Sequence, residues 1–236
     1  MQKTPIFIHV PKTGGLTVKL VIGDTSKGGA HKQVMSDETQ KRKEMLLRTG
    51  RTPYFFAFLR DPVDRAVSAY YYYLQNRMSN FAEHKRKGIK TVNRAEKRLS
   101  KTPAAMFHIL TSGLGTTCDA FWSAALANDG KLLKKLSKFF RIFLPQAYWF
   151  EGCTEYVNFY DFSNYRPELQ RLLDDLGRVS KVKIPKTHKT KHGKPKDELS
   201  PETRKKIRMW YADDYKLLDI MEAQETERAR QVVSRR

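Results

Sequence analysis

Two short apolar runs, Ile6 to Val10 (IFIHV) and Tyr54 to Leu59 (YFFAFL), constrain this chain more than any other feature. Near-continuous apolar character suits a strand covered on both faces, as in the middle of a parallel sheet. A third run, Tyr156 to Tyr160 (YVNFY), reads as a further strand. The segments between them carry helical patterns. In DPVDRAVSAYYYYLQN, Asp61 is placed to cap, Pro62 to lead and Asp64 to complete an acidic first turn, while Val63, Val67, Tyr70, Tyr71 and Leu74 recur at core-facing steps. Arg65 is expected on the solvated face of that helix. NYRPELQRLLDDLG repeats the design, from Asn164 to a stop at Gly177. One long helix is expected from SPETRKKIRMWYADDYKLLDIMEA, with Ser200 as cap, Pro201 leading, and Ile207, Trp210, Tyr211, Leu218 and Met221 as its apolar stripe. Strands alternating with helices predict an α/β class, a central parallel sheet flanked by helices.

At 236 residues the chain suits one domain spanning 1–236, with a helical insertion over roughly 91–143. Within that insertion KLLKKLSKFF sets Leu132, Leu133, Leu136, Phe139 and Phe140 on one face against a basic face. The stretch 181–196 (KVKIPKTHKTKHGKPK) reads as a basic loop. An excess of 45 Lys and Arg over 25 Asp and Glu, a net charge of +20, calls for an anionic partner or substrate. No stretch approaches eighteen apolar residues and the first strand begins almost at Met1, so no membrane helix or secretory leader is expected and the chain reads as soluble and cytoplasmic. Cys118 and Cys153 are far apart without metal-ligand spacing, and are expected as free thiols.

The first run delivers its carboxyl end into PKTGGLT. A turn that leaves a strand and starts a helix aims several backbone N–H groups at one spot, where the helix N-terminus adds positive potential. Lys12 brings a mobile charge, the Thr13 and Thr17 hydroxyls are donors, and Gly14 and Gly15 lack the Cβ atoms that would hold an anion off the backbone. The spacing is not that of the nucleotide-triphosphatase loop, which needs its lysine after the second glycine. The second run ends at Arg60, at the same rim of a parallel sheet, where ligands of open α/β sheets bind. Arg60 offers a fixed fork for a phosphate, and Ser68 is expected on an exposed helix face, roughly 10 Å along the helix at about 1.5 Å per residue.

HVPKTGGLTV resembles the 5′-phosphosulfate loop, and FLRDPVDRAVSAYYYY the 3′-phosphate strand and helix, of carbohydrate sulfotransferases that use 3′-phosphoadenosine 5′-phosphosulfate, a group that includes heparan sulfate 2-O-sulfotransferases and related bacterial proteins. LPQAYWF, YVNFYDFSNYRPELQRLLDDLG and LSPETRKKIRMWYADDYKLL continue the resemblance in order along most of the chain. The resemblance implies a P-loop-like nucleotide-binding fold, no metal, and in-line transfer of a sulfuryl group to a hydroxyl acceptor on a carbohydrate. Lys12 would meet the charge that grows on the leaving phosphate, the stretch Thr13, Gly14, Gly15, Leu16 and Thr17 would hold the 5′ side, and Arg60 with Ser68 the 3′-phosphate. Leu16 stands where the family usually has threonine, so Thr17 must supply that hydroxyl.

The acceptor needs a base. His31, in GGAHKQVMSDETQ, resembles the position of an active-site histidine in relatives; Glu38 and Asp37 stay open, because other relatives use glutamate. For Lys189, Lys191 and Lys194 two readings stand side by side: a basic loop closing on nucleotide or glycan, and a solvated segment. A kinase would need the other lysine position and an acidic magnesium-holding strand end. A nucleic-acid-binding protein would explain the charge, but no helix-turn-helix, zinc-finger or RNA-recognition signature is present.

Overall fold

The computed structural model describes residues 3–23, 33–73, 117–178 and 195–234. In chain order these form β1 (Lys3–Phe7), α1 (Gly15–Ile22), α2 (Asp37–Arg48), β2 (Thr52–Leu59), α3 (Pro62–Tyr73), α4 (Cys118–Phe139), β3 (Asn158–Asp161), α5 (Tyr165–Asp175), α6 (Pro201–Trp210) and α7 (Ala212–Val233), with single turns at Arg141–Phe143, Ala147–Trp149, Thr154–Tyr156 and Pro195–Glu198. The fold is α/β, as expected: β1, β2 and β3 form a parallel sheet in that order, and helices flank it. The described residues fall into two compact units.

The first unit (3–61, 145–178 and 212–234) holds the sheet. Phe56 and Phe58 of β2 are completely buried, with Val18 and Ile22 of α1, Leu169 and Leu172 of α5, and Leu176 just beyond α5 in the same cluster. The buried run Tyr54–Leu59 of β2 is what a central strand requires. The outer edge of β3 is closed by a side chain: Gln224 of α7 accepts from the Phe159 N–H at 2.9 Å and donates to the Val157 carbonyl at 2.9 Å, covering backbone groups an edge strand would leave open. Two strands are displaced from their expected positions. β1 ends at Phe7 rather than Val10; Ile8 and Val10 remain buried, but after the Ile8 N–H bonds the Phe56 carbonyl the chain leaves the ladder. β3 starts at Asn158, because Thr154–Tyr156 is a tight turn with Tyr156 66% exposed. Apolar runs mark burial, and burial outlasts the ladder.

The second unit (62–73, 117–144 and 195–211) is helical. Its core holds Val63, Val67 and Tyr70 of α3, Phe121, Trp122, Leu133 and Leu136 of α4, and Ile207 and Tyr211. α4 bends over Ala127–Gly130, where Asn128, Asp129 and Gly130 take left-handed backbone; a Cβ on Gly130 would lie 2.2 Å from the Trp210 ring. Ser200 caps α6 as expected, its hydroxyl accepting from the Thr203 N–H. The single long C-terminal helix does not form. Tyr211 turns inward and donates to the Phe143 carbonyl at 2.9 Å, and Asp213 and Asp214 favour a fresh helix N-terminus just beyond it. Cys118 and Cys153 are free thiols.

Candidate active site

Parallel pairing brings the exits of all three strands of the first unit to one rim. β1 leaves through Ile8–Val10 into a turn in which Lys12 (φ 71°) and Gly14 (φ 75°) both lie in the left-handed region. For lysine that conformation costs about 1–2 kcal/mol, so it persists only where the surroundings impose it. Gly14 is the N-cap of α1, and the first turn of α1 carries no acidic residue, so its N–H groups keep their positive potential.

The turn's small residues do different work from that expected. The Thr13 hydroxyl donates to the Val10 carbonyl at 2.9 Å and is fully buried, so it locks the turn rather than facing a ligand; only the Thr13 backbone is left for that role. Gly14 and Gly15 make room for protein side chains. A Cβ on Gly14 would lie 2.8 Å from the Tyr165 ring, and one on Gly15 1.9 Å from His9 Nε2. The Thr17 hydroxyl is buried and bonds the Tyr165 phenol. Leu16, where a hydroxyl would otherwise be expected, is 56% exposed.

Arg60 is the first residue beyond β2, and its backbone is held on both sides by one side chain. Gln146 accepts from the Arg60 N–H at 3.1 Å and donates to the Arg60 carbonyl at 2.7 Å, continuing the strand's hydrogen bonding past its end. The guanidinium reaches toward the first turn, with Nη1 3.4 Å from the Lys12 carbonyl oxygen, and lies over the Phe162 ring, 5.0 Å from its centroid. Burial, and next the like charge of Arg60, push the Lys12 ammonium down to about 8. Two cations from adjacent strand ends thus meet in a partly desolvated place where an anion would relieve both.

The stretch that carries Gln146 also holds the start of α2: Gln33 donates to the Tyr148 carbonyl at 2.8 Å, and the Val34 N–H to that of Trp149 at 3.1 Å. Asp37 and Glu38, in the first turn of α2, are exposed. His31 lies outside the described residues, as do Lys189, Lys191, Lys194 and the stretch 181–194 of the basic loop.

Residues 3–219 match a family model described as Sulfotransferase family. The chain belongs to the sulfotransferase family. The matched region takes in both strand-end motifs and runs through both units of this sulfotransferase. Neither a curated protein nor a solved structure matches it significantly. No described helix is long and apolar enough to cross a membrane.

Two further expectations about the sulfotransferase's second motif are corrected. Ser68 is 3% exposed, because Arg65 through Tyr70 are all buried and α3 offers no open face there. Arg65 is 1% exposed: it donates to the Ile142 carbonyl at 3.2 Å and the Leu144 carbonyl at 2.7 Å and stacks over Tyr211. The signal was present in the alanines, valines and serine around Arg65, which leave the helix without a polar side.

Three residues at the rim escaped the sequence reading: Gln146, Phe162 and Tyr165. Gln146 sits in LPQAYWF, a stretch without charge, and the other two lie just beyond β3, whose exit reaches the same rim as those of β1 and β2. A cavity of about 600 Å³, lined in part by Lys3, Arg51, Asp175 and Arg178, lies at the opposite, amino-terminal end of the strands and shares no residue with this site.

Proposed function

We propose that the chain transfers the sulfuryl group of 3′-phosphoadenosine 5′-phosphosulfate to a hydroxyl of a carbohydrate. The observation that carries this reading is the convergence of Lys12 and Arg60 from adjacent strand ends, close enough for one charge to depress the other. A donor with phosphates on two sides of its ribose asks for two cationic grips, and the residues present fit it. The match to the whole of 3–219 supports treating 1–236 as one sulfotransferase domain.

The donor supplies an activated sulfuryl group; the protein positions it and meets the charge of transfer. On this reading the N–H groups at the start of α1, that of Thr17 among them, would hold the 5′ side, and the Lys12 ammonium would meet the negative charge that develops on the leaving phosphate. Arg60 binds the 3′-phosphate. The Gln146 clamp keeps the Arg60 backbone from yielding when the phosphate pulls on its side chain. His31 takes the acceptor proton, with Asp37 and Glu38 as the carboxylates that would replace it in this role. Lys189, Lys191 and Lys194 attract an anionic glycan or close on the nucleotide. The net charge of +20 favours a polyanionic acceptor over a neutral one.

Thermal unfolding with 3′-phosphoadenosine 5′-phosphate and with ATP tests the donor. The bisphosphate at about 100 times its dissociation constant adds roughly 2.7 kcal/mol of stability, and ATP adds little. An equal response to both, or none to the bisphosphate, rejects the proposal. Labelled sulfate donor offered with a panel of polysaccharides and small alcohols then identifies the acceptor.

A further inference from the structure

We infer that Phe162 and Tyr165, just beyond β3, are positioning residues that fix the distance between the two anion grips and so make the site select a nucleotide phosphorylated at both 3′ and 5′. The inference rests on the donor reading above and adds the device that enforces it.

The exit of β3 contributes no cation to the rim, yet it touches both grips. Phe162 is anchored to β2: its N–H donates to the Leu59 carbonyl at 2.8 Å, one residue before Arg60. The turn around it is fixed too, the Ser163 N–H donating to Asp161 Oδ1 at 2.7 Å and the Asp161 N–H to Glu168 Oε2 at 3.3 Å. Its ring lies under the Arg60 guanidinium, a cation–π contact that orients the fork, and meets the Tyr165 ring at 5.2 Å and 55°. Tyr165 packs in turn on Phe58 of β2, and its hydroxyl donates to the Gly14 carbonyl at 3.0 Å, at the N-cap of α1. The same two rings fill the space beside Gly14 that a Cβ would need.

A chain of contacts therefore runs from Arg60 through Phe162 and Tyr165 to Gly14, built from rigid rings and one hydrogen bond to the backbone. Ribose confines the separation of the donor's two phosphates to a limited range. A bracket of constant length between the grips allows both to be satisfied at once, and a loosened bracket costs the second contact while sparing the first. Such a residue alters discrimination between nucleotides; a residue that only stabilises the fold lowers every affinity together.

Isothermal titration of the full chain with 3′-phosphoadenosine 5′-phosphate and with adenosine 5′-monophosphate separates these roles. Phe162→Leu is expected to weaken the bisphosphate about tenfold and the monophosphate less than about twofold, and Phe162→Tyr to restore the wild-type ratio. In an Arg60→Ala background the Phe162→Leu penalty disappears, because nothing is left to orient. Tyr165→Phe keeps both rings, loses the bonds to Gly14 and Thr17 and weakens the bisphosphate more than the monophosphate; it also carries the test if Phe162→Leu fails to fold. Equal losses for the two nucleotides, an undiminished penalty in the Arg60→Ala background, or unchanged bisphosphate affinity overturns the inference and leaves the donor reading standing. A wild-type chain that binds no bisphosphate removes both.

Discussion

Arg65 in the helical unit and the Lys12–Arg60 pair at the sheet rim are buried or half-buried cations handled in opposite ways. Arg65 is enclosed completely, and its surroundings answer it: two carbonyl oxygens accept from the guanidinium and the Tyr211 ring lies beneath it. At the rim, Lys12 is partly desolvated beside another positive group, and its ammonium is pushed down to about 8 as a result. The first arrangement suits a structural cation, since two carbonyl acceptors and a ring face offset part of the cost of burying its charge. The second leaves an electrostatic conflict in the folded chain, together with a left-handed lysine and a carboxylate-free helix start. Conflict of this kind marks a place arranged for something that arrives later.

Substitution separates the two cases most sharply at Lys12. Lys12→Met is expected to lower the rate of sulfuryl transfer by about 10²–10³, the usual cost of removing one charge-stabilising donor, while the protein stays folded. Retained turnover would place Lys12 outside the chemistry. Arg65→Met should do the reverse, destabilising the chain by about 3 kcal/mol in urea unfolding, because two partly buried carbonyls lose their charged donor. The molecules that remain folded keep their transfer rate, and a selective loss of rate would make Arg65 part of the site. Between the two lies Gln146→Leu, which keeps the side-chain bulk but releases the Arg60 backbone. Bisphosphate affinity should fall about tenfold, matching loss of hydrogen bonds worth ~1–1.5 kcal/mol; titration calorimetry reads it, and an unchanged affinity would mean that Arg60 needs no clamp.

The same contrast explains which parts of the molecule were legible in the sequence. The parallel sheet was, because YFFAFL has no polar face to show to water, and a strand of that kind must sit in the middle. The rim followed, since parallel strands send their exits to one side and Lys12 and Arg60 stand just past two of them. Arg65 is buried against expectation because its small and apolar neighbours, not its charge, set its place. The Thr13 hydroxyl and the two glycines are expected at a ligand, yet they bond or make room for protein atoms: Val10 and His9, close in sequence, for Thr13 and Gly15, and Tyr165, 151 positions away, for Gly14. Local spacing can announce an anion-binding turn; which side chains lock it depends on contacts that only the folded chain brings together. Gln146 was hidden for that reason, its partner being 86 positions earlier.

The smallest expected effect bears directly on the conflict at the rim. With the Lys12 ammonium held at about 8, below the usual lysine value, the native chain binds fewer protons than the unfolded chain from about pH 8 upward to that usual value, so this lysine makes stability rise with pH across the window. Below about pH 8 both states are protonated, and the penalty of keeping a half-buried ammonium beside Arg60 is fully present. Lys12→Met removes that penalty. The variant is therefore expected to melt about 2–4 °C above wild type at pH 6.5–7, the shift that ~1 kcal/mol gives in a chain of this size, and the gap should narrow as the pH is raised from about 8 toward 10. Bisphosphate affinity of the wild type should move the other way over the same range, falling as the ammonium loses its proton, because the ligand needs the charge that the empty fold resists. A melting difference that stays constant across the range would mean that Lys12 is well solvated in the native chain, and the comparison with Arg65 would lose its physical basis.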